Sequence, residues 1–234
     1  MSDPEARLAA FRLADSALPV GTDSVSYAVE QFAAADRVTD ADELGELVES
    51  YLRRQFGPAD LVALRHAHTA ADDGDLDRVV AADRRLTATT MAAEFRESSE
   101  RTGERLLSLQ TDLGDDTLLD AYAERVAEDE TAAGVPGNYA AVLGAVSARE
   151  GVPVREACLL ACHEFVTVLL QAPQRRIGIS HTDLQRVLDE LRPVMTAAVD
   201  GSSDRSLDEM EPFAPLVDVL SAEHERADRR LFLS

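Results

Sequence analysis

Apolar residues recur along this chain at intervals of three and four, and alternation at two is nearly absent. That spacing predicts helices buried on one face. Leu44, Leu47, Val48, Tyr51 and Leu52 mark one such face, behind Thr39 and Asp42, which are spaced as an N-cap and its N3 acid. Leu61, Leu64 and Ala67 begin another after Gly57-Pro58. Leu76, Val79, Val80 and Leu86 follow Asp75, expected to cap their helix behind Gly74. Further helices are expected over 91–109, 117–128 and 139–149, each stopped by a glycine or a proline.

After Gly151 and Pro153 comes the most apolar stretch, VREACLLACHEFVTVLL, hydrophobic on nearly every side from Cys158 to Leu170. A helix of that kind belongs at the centre of a bundle. The segment PQRRIGIS interrupts the pattern, and Ser180 with Asp183 restarts it for Leu184, Val187, Leu188 and Leu191. GSSD, after Asp200, reads as a hinge into a short tail. No Pro- or Ser-rich linker and no internal repeat divides the body. The expected fold is therefore all-α: one multi-helix bundle over 1–234 with a central buried helix, in which 201–234 form a C-terminal extension.

Composition sharpens this picture. Hydrophobic residues make up 45% of 234 positions, enough for a sizeable core, but 44 acids against 23 bases give a net charge of −21. Every base is arginine. A carboxylate-dominated shell excludes a nucleic-acid partner, which needs clustered cations to release phosphate counterions, and disfavours anionic membranes. It also repels itself unless salt screens it. The acids are spread along the whole chain and form no tail, so they read as adaptation to a salt-rich cytoplasm. No uncharged apolar run reaches the roughly 18 residues of a membrane span, and MSDPEARLAA lacks the features of a leader, so a soluble cytoplasmic protein is expected. Two cysteines make no disulfide framework.

Few reaction chemistries survive inspection. Without lysine there is neither a Walker-type phosphate loop nor a pyridoxal Schiff base, and no G-x-S-x-G elbow occurs. In DDGDLD, residues 72–77, Asp73, Asp75 and Asp77 match the start of a calcium loop. Arg78 and Arg84 then occupy the positions that need glycine and a bidentate Glu, so a solvated turn is expected. A metal-dependent all-α enzyme built on Asp72, Asp73 and Asp77 lacks a second aspartate-rich helix and tryptophan. His66 and His68 point about 200° apart on a helix and do not chelate together. Cys158 and Cys162 share a face near His163 and suit a soft metal, but small buried hydrophobes are the expected role. The expectation is a protein that is not an enzyme, with no cofactor and no metal of its own.

One stretch is more particular. Leu18-Pro19-Val20-Gly21, followed by Ser24, Ser26 and Glu30, resembles the N-terminal signature of the urease accessory proteins UreF, roughly LPVGGFSYSxGLE. Four further blocks keep the family's order. RESSERTGERLL resembles R-x-x-S-x-x-x-G-x-x-L-L through Arg96, Ser99, Gly103, Leu106 and Leu107. GNYAAVLGAVSAREGVPVREA resembles H-x-P-V-V-x-G and its following helix through Gly144 and Gly151. PQRRIGISHTDLQ resembles AVRLVPLGQTDGQ through Arg175, Thr182, Asp183 and Gln185. The tail matches at Pro215, Asp218, His224, Glu225, Arg230, Leu231, Phe232 and Ser234. The chain departs from the pattern at Thr22 and Asp23, at Asn138 in place of histidine, and at Gly178-Ile179-Ser180-His181 in place of P-L-G-Q.

An acidic, haloarchaeal-like member of that family is what the resemblance suggests. It implies an all-α, usually dimeric scaffold that binds UreD (UreH), recruits the nickel-carrying GTPase UreG and serves nickel delivery to apo-urease, with GTP hydrolysis timed by the assembly. On that resemblance Leu18, Pro19, Val20, Gly21, Ser26, Glu30, Arg96 and Arg175 lie on or support the side facing the GTPase or urease. Phe213, His224, Glu225, Arg230 and Phe232 would dock on UreD. Arg96 and Arg175 are expected to fix loops by pairing with carboxylates, an arginine finger toward the partner's nucleotide being the other role. The alternative function is a nickel chaperone that binds metal directly through Cys158, Cys162 and His163. Independently of any family, Pro19 fixes φ and Gly21 opens positive φ, so the turn is stiff and costs little ordering on docking. As a plain helix lead-in, the same turn would use Asp23 or Ser24 as cap and Leu18 as a staple.

Overall fold

The computed structural model describes residues 3–15, 17–21, 28–127 and 134–215, Arg175 by its backbone alone. Twelve α-helices and no strand occur among the described residues, so the all-α expectation holds. Asp3 and Pro4 start α1 (Pro4–Leu13), and α2 (Val29–Ala34) follows the opening turn. Asp40 caps α3 (Ala41–Tyr51), accepting from the Glu43 N–H at 2.9 Å. The Glu43 carboxylate reaches back to the N–H and hydroxyl of Thr39, both at 2.8 Å. The capping pair thus sits one residue later than Thr39 and Asp42, because Thr39 is held from outside the helix by the acid of its first turn.

A single π-helical turn, Leu52–Phe56, carries α3 into Gly57-Pro58 and the start of α4 (Asp60–Asp72). Asp75 caps α5 (Leu76–Thr89) as expected. The long α6 (Ala93–Leu113) runs a turn past the expected end; α7 (Thr117–Ala127) and α8 (Tyr139–Arg149) keep their expected starts. Then come α9 (Val154–Gln171), the short α10 (Gln174–Ile177), α11 (His181–Glu190), capped by Ser180, and α12 (Arg192–Gly201). Among the described residues, no helix is long and apolar enough to cross a membrane.

The central helix is α8, not the expected α9. Every residue from Ala140 to Ala148 is buried, whereas α9 leaves Arg155 and His163 exposed. Size decides this: alanines and Gly144 let α4, α6 and α9 close on α8 from several sides, and a Cβ on Gly144 would collide with the Leu64 carbonyl. At Gly103 a Cβ would likewise strike the Gly137 carbonyl, so α6 lies directly against the loop that enters α8.

That entrance is nailed down by a buried carboxylate. Asp83 on α5 is fully buried and accepts four hydrogen bonds of 2.7–2.8 Å, from the Tyr122 hydroxyl, the Gly137 and Asn138 N–H groups and the Asn138 side-chain amide. Asn138 also donates to the Thr87 hydroxyl at 2.6 Å. Burial still pushes the Asp83 carboxyl up from its ordinary pKa, against the pull of those donors.

The expected hinge at GSSD is a strap. Ser202 is buried and accepts from Arg65 Nε at 2.7 Å, while its hydroxyl donates to the Val199 carbonyl. Arg205, Leu207 and Phe213 bond through their backbones to His66, Arg85 and Arg54, and Met210 is buried. Small residues here admit the arginines of α4 and α5 instead of loosening the chain.

Candidate functional site

The opening turn is held from beneath. Asp15 accepts from the Ala17 N–H through its side chain and from the Leu18 N–H through its carbonyl, both at 2.9 Å, and the Val20 N–H closes on the Leu18 carbonyl at 2.8 Å. Val20 is 1% exposed and anchors the turn in the core, with Leu18 partly buried and Pro19 outside. Gly21 has φ +76°, and a Cβ there would strike the guanidinium of Arg105 on α6. The positive φ favours glycine, while the guanidinium, at the end of a flexible side chain, could shift to admit a Cβ. Glu30 on α2 is exposed. Of these positions Pro19, Glu30 and part of Leu18 face outward, while Val20 and Gly21 support them.

Arg96 fixes a loop, as expected, but through backbone carbonyls and not carboxylates. Its Nη1 donates to the carbonyls of Thr90 and Met91 at 2.6 and 2.7 Å. Thr90 is the C-cap of α5 and Met91 follows it, so Arg96 ties the end of α5 to the start of α6. Phe213 is 66% exposed on the strap, its N–H bonded to the Arg54 carbonyl at 2.8 Å. Ser26, His224, Glu225, Arg230 and Phe232, the Arg175 side chain, and Thr22, Asp23 and Ser24 lie outside the described residues.

The metal candidates are not brought together. Cys158 and Cys162 are free and buried, and burial pushes their thiols up to about 11 and about 12, against the thiolate a metal requires. His163 faces outward. His66 bonds to the Arg205 carbonyl and His68 to that of Val152. Asp73 pairs with Arg78 and Asp77 with Arg125, and Asp75 is a cap. Among the described residues no group of three His, Cys, Asp or Glu is placed to hold a metal ion.

One feature escapes sequence reasoning. At the start of α4, two adjoining cavities of about 50 and 40 Å³ share Asp60 and Ser99. Phe56 and Phe165, stacked at 4.2 Å, and the Tyr139 hydroxyl donating to Glu164 at 2.7 Å line the first; Gln55, Thr89, Thr90 and Met91 border the second. Asp60 is half-buried between the two cavities, and burial pushes its carboxyl up from 3.8 to about 7, opposed only by its own N–H. The π turn that aims Gln55 and Phe56 here leaves no mark in the hydrophobic spacing, and Gly57-Pro58 announces only a helix boundary. Cavities of this size take a water or two, or the tip of one side chain. They do not offer room for a nucleotide.

The UreF family model matches residues 38–192. Over 231 residues the chain is 27% identical to the urease accessory protein UreF of Trichodesmium erythraeum (strain IMS101), an alignment that covers 99% of this chain and 98% of that protein. It is similar to the urease accessory protein UreF of Bacillus sp. (strain TB-90), 29% identical over 97% of this chain and 98% of that protein. The urease accessory protein UreF of Yersinia enterocolitica (serotype O:8 / biotype 1B, strain NCTC 13174 / 8081) is 28% identical over 95% of each.

Proposed function

The chain belongs to the UreF family, whose relatives are named urease accessory proteins, and from that premise we propose that it is the scaffold joining UreD (UreH) to the GTPase UreG for GTP-dependent insertion of nickel into apo-urease. It works as a homodimer that regulates the GTPase and performs no chemistry itself. The near-complete alignment with urease accessory proteins carries this reading. A chain without lysine has no nucleotide loop of its own, so the GTP chemistry falls to a partner.

On the GTPase or urease side, Pro19, Glu30 and the outer part of Leu18 form the contact, with Val20 and Gly21 keeping the turn in shape; Ser26, Arg96 and Arg175 complete that side. On the UreD side stand Phe213, which the strap holds outward, and His224, Glu225, Arg230 and Phe232. Direct nickel capture by Cys158, Cys162 and His163 is not favoured, because both thiols are buried and the imidazole faces away. The proposed setting is a salt-rich cytoplasm, which suits 44 acids against 23 arginines.

The test is reconstitution of urease activation from purified components in concentrated KCl, with and without this chain. Nickel loading and urease activity are expected only in its presence. Equal loading in its absence would remove the proposal.

A further inference from the structure

The cleft beneath the α5–α6 loop is acidic. In its smaller cavity Asp60 is the only ionisable group among the described side chains. The Thr89 and Thr90 hydroxyl protons are committed to the Leu86 carbonyl at 3.0 and 2.9 Å, and Ser99 Oγ accepts from the Tyr139 N–H. Gln55 Oε1 is buried and accepts no hydrogen bond. The cavity presents a carboxyl and several oxygen lone pairs, beside the Ser99 hydroxyl proton and the Gln55 amide N–H groups. A buried acceptor left unpaired costs about 1–3 kcal/mol, so a ligand rich in N–H donors is the natural complement.

Size and surroundings narrow the class. A cavity of about 40 Å³ admits the tip of a side chain and not a metabolite. A bound metal ion is disfavoured, since no group of three potential ligands converges among the described residues. All 23 bases of this chain are arginines, yet none of the described side chains among them lines either cavity. The rim is apolar and fixed. Met91, 76% exposed, stands on the loop whose carbonyls Arg96 holds, and Pro212 and Ala214 lie opposite on the strap beside exposed Phe213. An apolar rim over a carboxyl floor matches the aliphatic stem and cationic head of a basic side chain, whose charge favours the ionised acid.

We propose that this cleft is a socket for one lysine or arginine side chain of a protein partner, its N–H groups satisfying Asp60 and Gln55 and its stem lying along Met91 and Pro212. The inference rests on the reading of the chain as a scaffold, to which it adds one specific contact.

The test titrates the full chain, carbon-13-labelled at aspartate carboxyls, with Nα-acetyl-lysine amide, Nα-acetyl-arginine amide and neutral Nα-acetyl-glutamine amide in concentrated KCl. The Asp60 carboxyl resonance is expected to move saturably with both cations and not with the neutral probe. Asp60→Asn should abolish that saturation, and Gln55→Ala should weaken it by about tenfold, the effect of about 1.4 kcal/mol. Equal response to the neutral probe, or saturable cation binding that survives D60N, overturns the socket. In a second arm, D60N is assembled with the cognate UreD and UreG proteins, its melting temperature confirming that it is folded. Affinity at least about tenfold weaker is expected; unchanged affinity overturns the assignment to a protein partner even where the small probes bind. Activation that needs the chain but proceeds unaltered with D60N overturns the socket and leaves the scaffold standing, whereas activation without the chain overturns the scaffold.

Discussion

Asp83 is a fully buried carboxyl and Asp60, on the neighbouring helix, a half-buried one, and burial raises the pKa of both. Their surroundings differ in donors. Asp83 has a hydroxyl, two backbone N–H groups and a side-chain amide aimed at it, whereas Asp60 has its own N–H and a neighbouring amide oxygen without a partner. A buried acid surrounded by donors ties elements together, and a half-buried one with few donors is held in place by the rest of the fold. Asp83 closes the bundle; Asp60 is an opening in it.

Substitutions at the two sites should therefore act in opposite directions. Asp83→Ala strands the Tyr122 hydroxyl and two N–H groups in the core and should cost roughly 3–5 kcal/mol, read as a lowered midpoint in denaturant at constant salt. Asp60→Asn should stabilise. The folded chain keeps the Asp60 proton up to about pH 7, while the unfolded chain releases it near 3.8, so the carboxyl's contribution is intact below pH 4 and is lost as pH rises to 7. The stability gained by D60N should thus be near zero at pH 4 and grow to at most roughly 4 kcal/mol above pH 7. Melting temperatures of both proteins across that range check this, and a difference independent of pH would erase the contrast with Asp83.

Smaller effects sharpen the contrast. Asn138→Ala removes two of the amide's donations, to Asp83 and Thr87, and should cost about 1–3 kcal/mol in denaturant unfolding. Gln55→Leu deletes the unpaired acceptor in the other site and should leave stability unchanged or raise it by up to about 1 kcal/mol in the same assay. A loss comparable to that of N138A would mean that Gln55 is structurally satisfied and that the cleft is not donor-poor.

What could be read ahead of the coordinates follows the range of the forces involved. Local rules located the caps Asp75 and Ser180 and the starts of α7 and α8, since a cap and its helix lie within a few residues. Apolarity is alike in α8 and α9 and did not identify the central helix; close packing rewards the small side chains of α8 over the larger ones of α9. Asp83 and Asn138 meet across 55 residues, and no local spacing reports such a pairing. Asp60 is one acid among 44; in a chain this acidic, identity alone does not separate a buried carboxyl from a solvated one. The outer turn was readable as stiff, but the burial of Val20 depends on the core it packs into, which no local spacing reports.

The strap after α12 has a practical bearing on any shortened form of this protein. Ending the chain near residue 201 would strip Arg65, His66 and Arg85 of their carbonyl and hydroxyl acceptors and uncover the pocket that Met210 fills. A loss of partner affinity in such a truncation would mix collapse of one flank of the bundle with removal of a contact. A deletion that begins after Pro215 leaves those anchors in place and separates the two effects.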